Sequence, residues 1–398
     1  MSKDYQEGLK SNIKKYFLFE ILISLAFFYP IFNLFYLARG LNITQIAFIG
    51  VAWIITNMVL EIPSGILADK WGRKKVLSLF VFLFMCQSVV IIFAHNYIWF
   101  IIASILHAAA FAFYSGTNVA FFWDTLKELK REKEYEKLWG KLHFYTMIPS
   151  LSAMFMGGFL FSINEILPYL FTAFFLFLGL LISFTFKEPI LNKSAQIDSI
   201  LGHFKESIKT VFSKEKFIVI VLTGAILSFS IDYLFSYGQI YLKEIGLMAS
   251  MFGILYAGIS LISSFGYILA EKVKNNFEFR KIILVFLFIT SACILLLSRL
   301  NTLWAIVILI IPFFIRANYR LLQRGYMHKH ISSHNRATVD SVATFSIVSI
   351  AIVFEPIAGK IADLYSIQTA FFILGCLLLT YTIYYFIFKF RKKRLFEG

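Results

Sequence analysis

The 398-residue sequence is short of charge and shorter still of acid. Only 15% of its residues are charged, against about 25% in an average soluble domain, and Asp and Glu number 23 against 38 Lys and Arg. With 59% hydrophobic residues and a mean hydropathy of +0.75, one water-soluble core is excluded, because it could not hide so much apolar surface. Cysteine is scarce. Cys86, Cys293 and Cys376 all lie inside apolar runs. They form no C-x-x-C and neither a disulfide framework nor a metal-ligand spacing, so they read as small buried hydrophobes; no metal and no cofactor is expected. A short signal-peptide core is missing as well. The N-terminus is polar through Lys15, and the apolar run that follows has about 23 residues, the length of a spanning helix. Period-two alternation is lacking, which argues against a β-barrel. The net charge of +15 comes without a basic face or base-stacking aromatics, so no nucleic-acid partner is expected.

What is there is a series of twelve apolar runs, at 16–38, 44–68, 76–94, 98–123, 142–163, 167–186, 217–238, 249–270, 281–298, 302–323, 338–358 and 368–388. Each is near the ~20 residues that cross ~30 Å of hydrocarbon as a helix. In lipid the backbone must satisfy its own polar groups, and a helix does so. The basic residues test this topology. With the N-terminus inside, the inner segments hold 32 Lys and Arg and the outer loops only Arg39, Lys243, Arg299 and Lys360; Arg316 and Arg320 lie within the tenth span. That asymmetry is the positive-inside pattern and predicts a multi-pass protein of the cell membrane with both termini cytoplasmic.

The longest inner segment, 187–216, divides the spans into six plus six. The predicted organisation is an N-terminal six-helix bundle over 1–186, a cytoplasmic linker over 187–216, and a C-terminal six-helix bundle over 217–398. Within the linker, Ile197, Ile200, Leu201, Phe204, Ile208, Val211 and Phe212 recur at helical spacing, which predicts a short amphipathic helix on the inner membrane surface. Halves of matching hydropathy are a mark of transporter repeats. The second span ends Gly65-Ile-Leu-Ala-Asp69-Lys70 and the eighth ends Gly266-Tyr-Ile-Leu-Ala-Glu271-Lys272.

The turn after the second span reads Gly65-Ile-Leu-Ala-Asp69-Lys70-Trp71-Gly72-Arg73-Lys74-Lys75. It resembles the cytoplasmic signature of the major facilitator superfamily, G-x-x-x-D-[RK]-x-G-[RK]-[RK], with every specified position filled. Glu61-Ile-Pro-Ser-Gly65, Ser115-Gly-Thr-Asn118 through Asp124-Thr-Leu, Lys187-Glu-Pro189, Arg336-Ala-Thr338 and Pro356-Ile-Ala-Gly359-Lys-Ile-Ala-Asp363 are similar to its bacterial drug-efflux-like branch. The resemblance implies an all-α membrane fold of two pseudo-symmetric six-helix bundles. It also implies a conformational latch made of Gly65, Asp69, Lys70, Gly72, Arg73, Lys74 and Asp124, in which Asp69 meets the start of the eleventh helix and Asp124 partners Arg73. One departure stands out. The glycine-rich antiporter signature of the fifth span is reduced to Pro149 and Gly157-Gly158, which leaves the direction of transport open.

Ionisable residues inside spans are expensive and mark function. Asp232 is the deepest acid of the second half. Arg316 and Arg320, at i and i+4, share a helix face. Counted from helix ends, Asp232 and Arg316 differ in expected height by ~15 Å at ~1.5 Å per residue, so the spacing does not require a direct pair. Glu61 and Glu20 lie in the inner halves of the second and first spans, where either could face Arg320. Glu355 falls near the outer end of the eleventh span. His107 lies near the midplane and reads either as a proton carrier or as a hydrogen-bonded neutral histidine. Proton-coupling candidates are therefore Asp232, His107 and Glu61. Substrate-binding candidates are Asn33, Tyr36, Asn57, Tyr114, Asn118, Tyr233, Gln239, Arg316, Asn318, Tyr319 and Arg320. His328, His330 and His334 cluster in the loop before the eleventh span and read as surface histidines.

The leading reading is a monomeric, non-enzymatic secondary transporter whose partners are a small-molecule substrate, protons and membrane lipids. It exports small amphipathic compounds against a proton gradient by alternating access. The alternatives are a proton symporter importing an anionic molecule through Arg316, a non-transporting membrane receptor and a lipid-modifying membrane enzyme.

Overall fold

A computed structural model describes residues 3–190, 215–329 and 336–390. The amphipathic segment of the linker and His330 and His334 lie outside the described residues. Fourteen α-helices make up the described fold: α1 (Lys3–Ile23), α2 (Phe32–Ala38), α3 (Ile43–Trp71), α4 (Arg73–Ile92), α5 (Tyr97–Tyr114), α6 (Thr117–Glu128), α7 (Tyr135–Ile163), α8 (Leu167–Phe184), α9 (Glu215–Glu244), α10 (Ala249–Asn276), α11 (Phe279–Leu297), α12 (Ala305–Lys329), α13 (Arg336–Leu364) and α14 (Ile367–Tyr384). Among the described residues, eleven stretches are long and apolar enough to cross a membrane.

The first expected span, 16–38, is instead broken between α1 and α2. Pro30 removes a backbone donor and clashes with the preceding turn, so the chain leaves the helix at Ser24–Ile31. Irregular backbone at membrane depth survives only when its polar groups find partners. Here the Phe27 amide donates to Thr172 Oγ1 of α8 at 3.0 Å. Gly157 of α7 sits against Phe27: a Cβ there would collide with the Phe27 carbonyl oxygen and stand 3.0 Å from Pro30 Cγ. The remnant of the fifth-span signature is thus a close-packing site. The fourth span is also broken, into α5 and α6, at Ser115 and Gly116, the latter with a positive φ of 77°.

The chain folds as two units, one comprising Met1–Leu41, Phe48–Ala195 and Ala249–Tyr256, the other Asn42–Ala47, Gln196–Met248 and Ala257–Gly398. In the first, α4 packs against α5 and α8, and α1 packs against α6, α7 and α8. The second repeats the plan: α11 packs against α12 and α14, and α9 against α12, α13 and α14. α9 is central to it, with 78% of its most apolar stretch buried. Large side chains such as Phe93, Ile268 and Trp304 are left exposed, as suits surfaces facing acyl chains.

Two short exchanges explain the unusual membership of the units. The first turn of α3 belongs to the second unit because Asp363, near the end of α13, caps it: the Ile43 and Thr44 amides donate to the two carboxylate oxygens at 2.8 and 2.9 Å. The start of α10 belongs to the first unit through a glycine crossing with α7, where a Cβ on Gly158 would stand 2.6 Å from the Ala249 carbonyl and 2.8 Å from the Gly253 nitrogen.

Candidate functional site

At the α3–α4 turn, Gly72 has φ 96° and ψ 147°, a conformation that only glycine adopts readily. The freed space is filled by Glu188. Its carboxylate oxygens accept from the Arg73 amide at 2.7 Å and the Lys74 amide at 2.8 Å, so a side chain from beyond α8 caps α4 where the helix dipole favours negative charge. A Cβ on Gly72 would lie 2.9 Å from the Glu188 carboxyl carbon. Burial pushes the Glu188 carboxyl above its ordinary range, and the two amide bonds oppose that shift without cancelling it. Arg73 pairs through its guanidinium with Asp124 of α6. The strand of chain around Glu188 is tied down on both sides. Asn12 of α1 exchanges hydrogen bonds with the Lys187 backbone at 2.7 and 2.9 Å, and Glu128 accepts from Tyr5 Oη at 2.6 Å and from the Ile190 amide at 3.0 Å. Four helices are thereby stitched at one end of the first unit. Gly65 and Asp69 are outside this stitch. Asp69 is exposed with no hydrogen bond or ion pair among the described residues, and a Cβ on Gly65 would meet nothing within 4 Å.

Deeper in the first unit, Glu20 is 8% exposed. Oε2 accepts from Tyr114 Oη at 2.7 Å, and Oε1 is buried without a hydrogen bond; no cation pairs with the carboxylate among the described residues. Tyr16, stacked on Phe122, donates to the Asn118 carbonyl at 3.0 Å. The structure therefore brings Glu20, Tyr114 and Asn118 together. His107 is caged by aromatic rings, 5.2 Å from Phe84 in a stack and 5.0 Å from Phe111 edge-on, with Phe28 and Trp53 closing the cage; its buried Nε2 has no hydrogen-bond partner among the described residues. Asn57 donates to the Ala108 carbonyl at 3.3 Å, and Tyr36 packs edge-on against Phe100. Asn33 is buried. Glu61 is exposed and is not gathered with the other candidates.

In the second unit, Asp232 of α9 and Arg316 of α12 form a direct ion pair within the spans, each partly exposed at 38% and 32%. The height mismatch expected from the sequence disappears because α9 runs on to Glu244, beyond the apolar run, and α12 starts at Ala305, so Asp232 stands 12 residues before the end of α9 and Arg316 11 residues after the start of α12. Arg320, one turn on, also acts on Asp232, as does Glu355. Glu355 is deeper than the sequence suggests, since α13 runs on to Leu364. Tyr233 is buried and stacked on Tyr237 at 4.2 Å. Asn318 is fully buried, and neither amide atom has a hydrogen bond among the described residues. Tyr319 and Gln239 are buried, and Arg320 is exposed.

The sequence profile of the Major Facilitator Superfamily matches residues 17–356. The chain belongs to that superfamily. Membership makes it a multi-pass membrane transporter, not an enzyme. Among curated relatives, the MFS-type transporter YxaM of Bacillus subtilis (strain 168) is 26% identical over 241 residues, 59% of each chain; the match thus spans less than two thirds of that protein. The transporter BU466 of Buchnera aphidicola subsp. Acyrthosiphon pisum (strain APS) is 24% identical over 307 residues, 73% of this chain and 74% of that one. Among solved structures, the nucleoside transporter NupG superposes with a TM-score of 0.80 at 11% identity, covering 98% of this chain and 99% of that one. A bacterial homolog of the human lysosomal transporter Spinster gives 0.72 at 17% identity, covering 100% and 98%. At these identities the superpositions establish the fold alone.

Asp232 and Arg316 stood out by sequence because charge in a span is rare. Glu188, Glu128 and Asn12 did not, because acids and amides at helix ends are common and nothing local marks them as caps for distant helices. Glu20 was visible as an acid, but its tyrosine partner was not.

Proposed function

We propose that the protein is a proton-coupled secondary transporter that exports small amphipathic compounds by alternating access. The observation that carries this reading is the Asp232–Arg316 pair inside the spans. Paired, the two side chains are neutral as a unit and bearable in an apolar bundle. Protonating Asp232 releases a bare guanidinium, so the proton and the arrangement of α9 and α12 are linked. A proton bound more tightly in one conformation than in another shifts the balance between them by that difference alone. Glu20, an acid with a tyrosine but no cation beside it, supports a second protonation point in the first unit. The aromatic content, 18% of residues, supplies the amphipathic surfaces such substrates need.

In inside-out vesicles, substrate accumulation is expected to follow an imposed pH gradient, and Asp232→Asn is expected to abolish that dependence while substrate still exchanges down its own gradient. Gradient dependence retained in this variant removes Asp232 as the coupling group. A second reading, import of an anionic molecule, is favoured by one observation: Arg316 and Arg320 lie one turn apart, and Arg316 is 32% exposed. Binding of anions that survives Arg316→Ala rules it out.

A further inference from the structure

The acid of the first unit that its protein neighbours leave half satisfied is Glu20 of α1. It is 8% exposed. Oε2 accepts from Tyr114 Oη at 2.7 Å. The Tyr16 hydroxyl, one turn earlier on α1, donates to the Asn118 carbonyl at 3.0 Å and also acts on the Glu20 carboxyl. Oε1 is buried with no hydrogen bond among the described residues. A glutamine would accept the same Tyr114 bond with no charge to hide in an apolar bundle, so the tyrosine does not account for a carboxylate at this place.

No side chain supplies the counter-charge. α1 packs against α6, α7 and α8, and among the described residues no Lys, Arg or His from any of them acts on Glu20; its titratable neighbours are Tyr16 and Tyr114. The break in the fourth span adds negative potential. Tyr114 is the last residue of α5, and among the described residues only Phe111 of that helix's last four carbonyls receives a backbone amide, from Ser115 at 2.9 Å. The carbonyl end of a helix carries partial negative charge. The donors around Glu20 are oxygens, which favours a hard ion over a transition metal. One carboxylate balances one positive charge, so a divalent ion would leave a net charge in the bundle. Size is limited as well. Tyr16 is fully buried and stacked on Phe122 at 5.1 Å, and Phe80 lies 4.4 Å from Tyr114, so an organic cation would have to displace a ring.

We propose that Glu20, with the hydroxyl oxygens of Tyr16 and Tyr114, binds a small alkali cation such as sodium in exchange for the carboxyl proton. One proton leaves as one cation enters, so the acid is neutral in its protonated form and neutral again as the ion pair. The first unit thus carries an ion site of its own. The proposal rests on the reading of Glu20 as an acid that exchanges its proton, and not on proton coupling at Asp232.

The test is thermal unfolding of the full-length protein in detergent, with sodium chloride replacing choline chloride at constant ionic strength. An ion that binds only the folded state raises the melting temperature by mass action, so a saturable rise with sodium is expected. Glu20→Gln is expected to remove that rise entirely. Tyr114→Phe is expected to raise the half-saturating sodium concentration about tenfold, the scale of one charge-assisted hydrogen bond. A sodium rise that persists undiminished in Glu20→Gln places the ion elsewhere and overturns the site. If that variant does not fold, an unmoved half-saturation in Tyr114→Phe overturns it equally. A melting temperature that ignores sodium, but has a pH dependence that Glu20→Gln abolishes, overturns the cation site and leaves Glu20 as a protonation point. A melting temperature that answers to neither removes both.

Discussion

The two units meet the same difficulty, charge within an apolar bundle, in different ways. The first keeps ion pairs such as Arg73–Asp124 and Arg39–Glu165 at helix ends and leaves Glu20 inside, hydrogen-bonded to Tyr114. The second puts its ion pair, Asp232–Arg316, within the spans. Their turns differ too. The α3–α4 turn is sealed by Glu188 from across the bundle. The α10–α11 turn is held by local pairs of Glu278 with Arg280 at 2.6 Å and Lys281 at 3.0 Å, on the surface. A buried acid without a cation is free to exchange a proton at little structural expense, whereas a paired one cannot lose its partner without stranding a charge.

The largest effect is therefore expected at the pair. Arg316→Ala should destabilise the protein by about 3 kcal/mol, the low end for breaking a buried pair because this one is partly exposed. Asp232→Ala added to it should recover part of the loss, as a double-mutant cycle from denaturation in detergent would read; strict additivity would mean that the pair contributes nothing. Next comes the sealed turn. Gly72→Ala forces a side chain into a glycine-only conformation against the Glu188 carboxyl and should lower stability by about 2 kcal/mol. A melting temperature equal to the parent's would show that the cap tolerates displacement.

Glu20→Gln sharpens the contrast. The amide oxygen can still accept from Tyr114, so stability should be within about 0.5 kcal/mol of the parent, while the pH dependence of transport moves. A large loss of stability would show that Glu20 is held as a carboxylate and that the units are more alike than their partners suggest. The smallest effect belongs to Glu278. The Arg280 and Lys281 side chains hold its carboxyl below the usual range. Its contribution to stability is thus present above the unfolded-state value and fades as pH falls through the lowered folded value. Glu278→Gln should remove that small contribution near neutrality and flatten the acid limb slightly.

Much of the fold was legible beforehand. Apolar runs of spanning length and the placement of 38 basic residues suffice to locate the spans, though not the breaks within the first and fourth, because lipid tolerates neither unpaired backbone nor stray charge. The turn from Gly65 to Lys75 was readable because glycine, acid and base stand there at fixed spacing. The break at Ser24–Ile31 was less so. Pro30 hints at it, but whether a helix kinks or stops depends on a partner such as Thr172, 145 residues away.

By itself the sequence determined the class: a helical membrane protein in two halves, with a few charges in places where charge must have a purpose. Only the tertiary structure decided which charges meet. Hydropathy is a sum over neighbours in the chain and survives without coordinates. A hydrogen bond or an ion pair depends on ångström-scale placement of residues far apart in sequence. Glu188 on the α4 amides, Tyr114 on Glu20, Arg316 on Asp232 and Asp363 on Thr44 are all of that second kind.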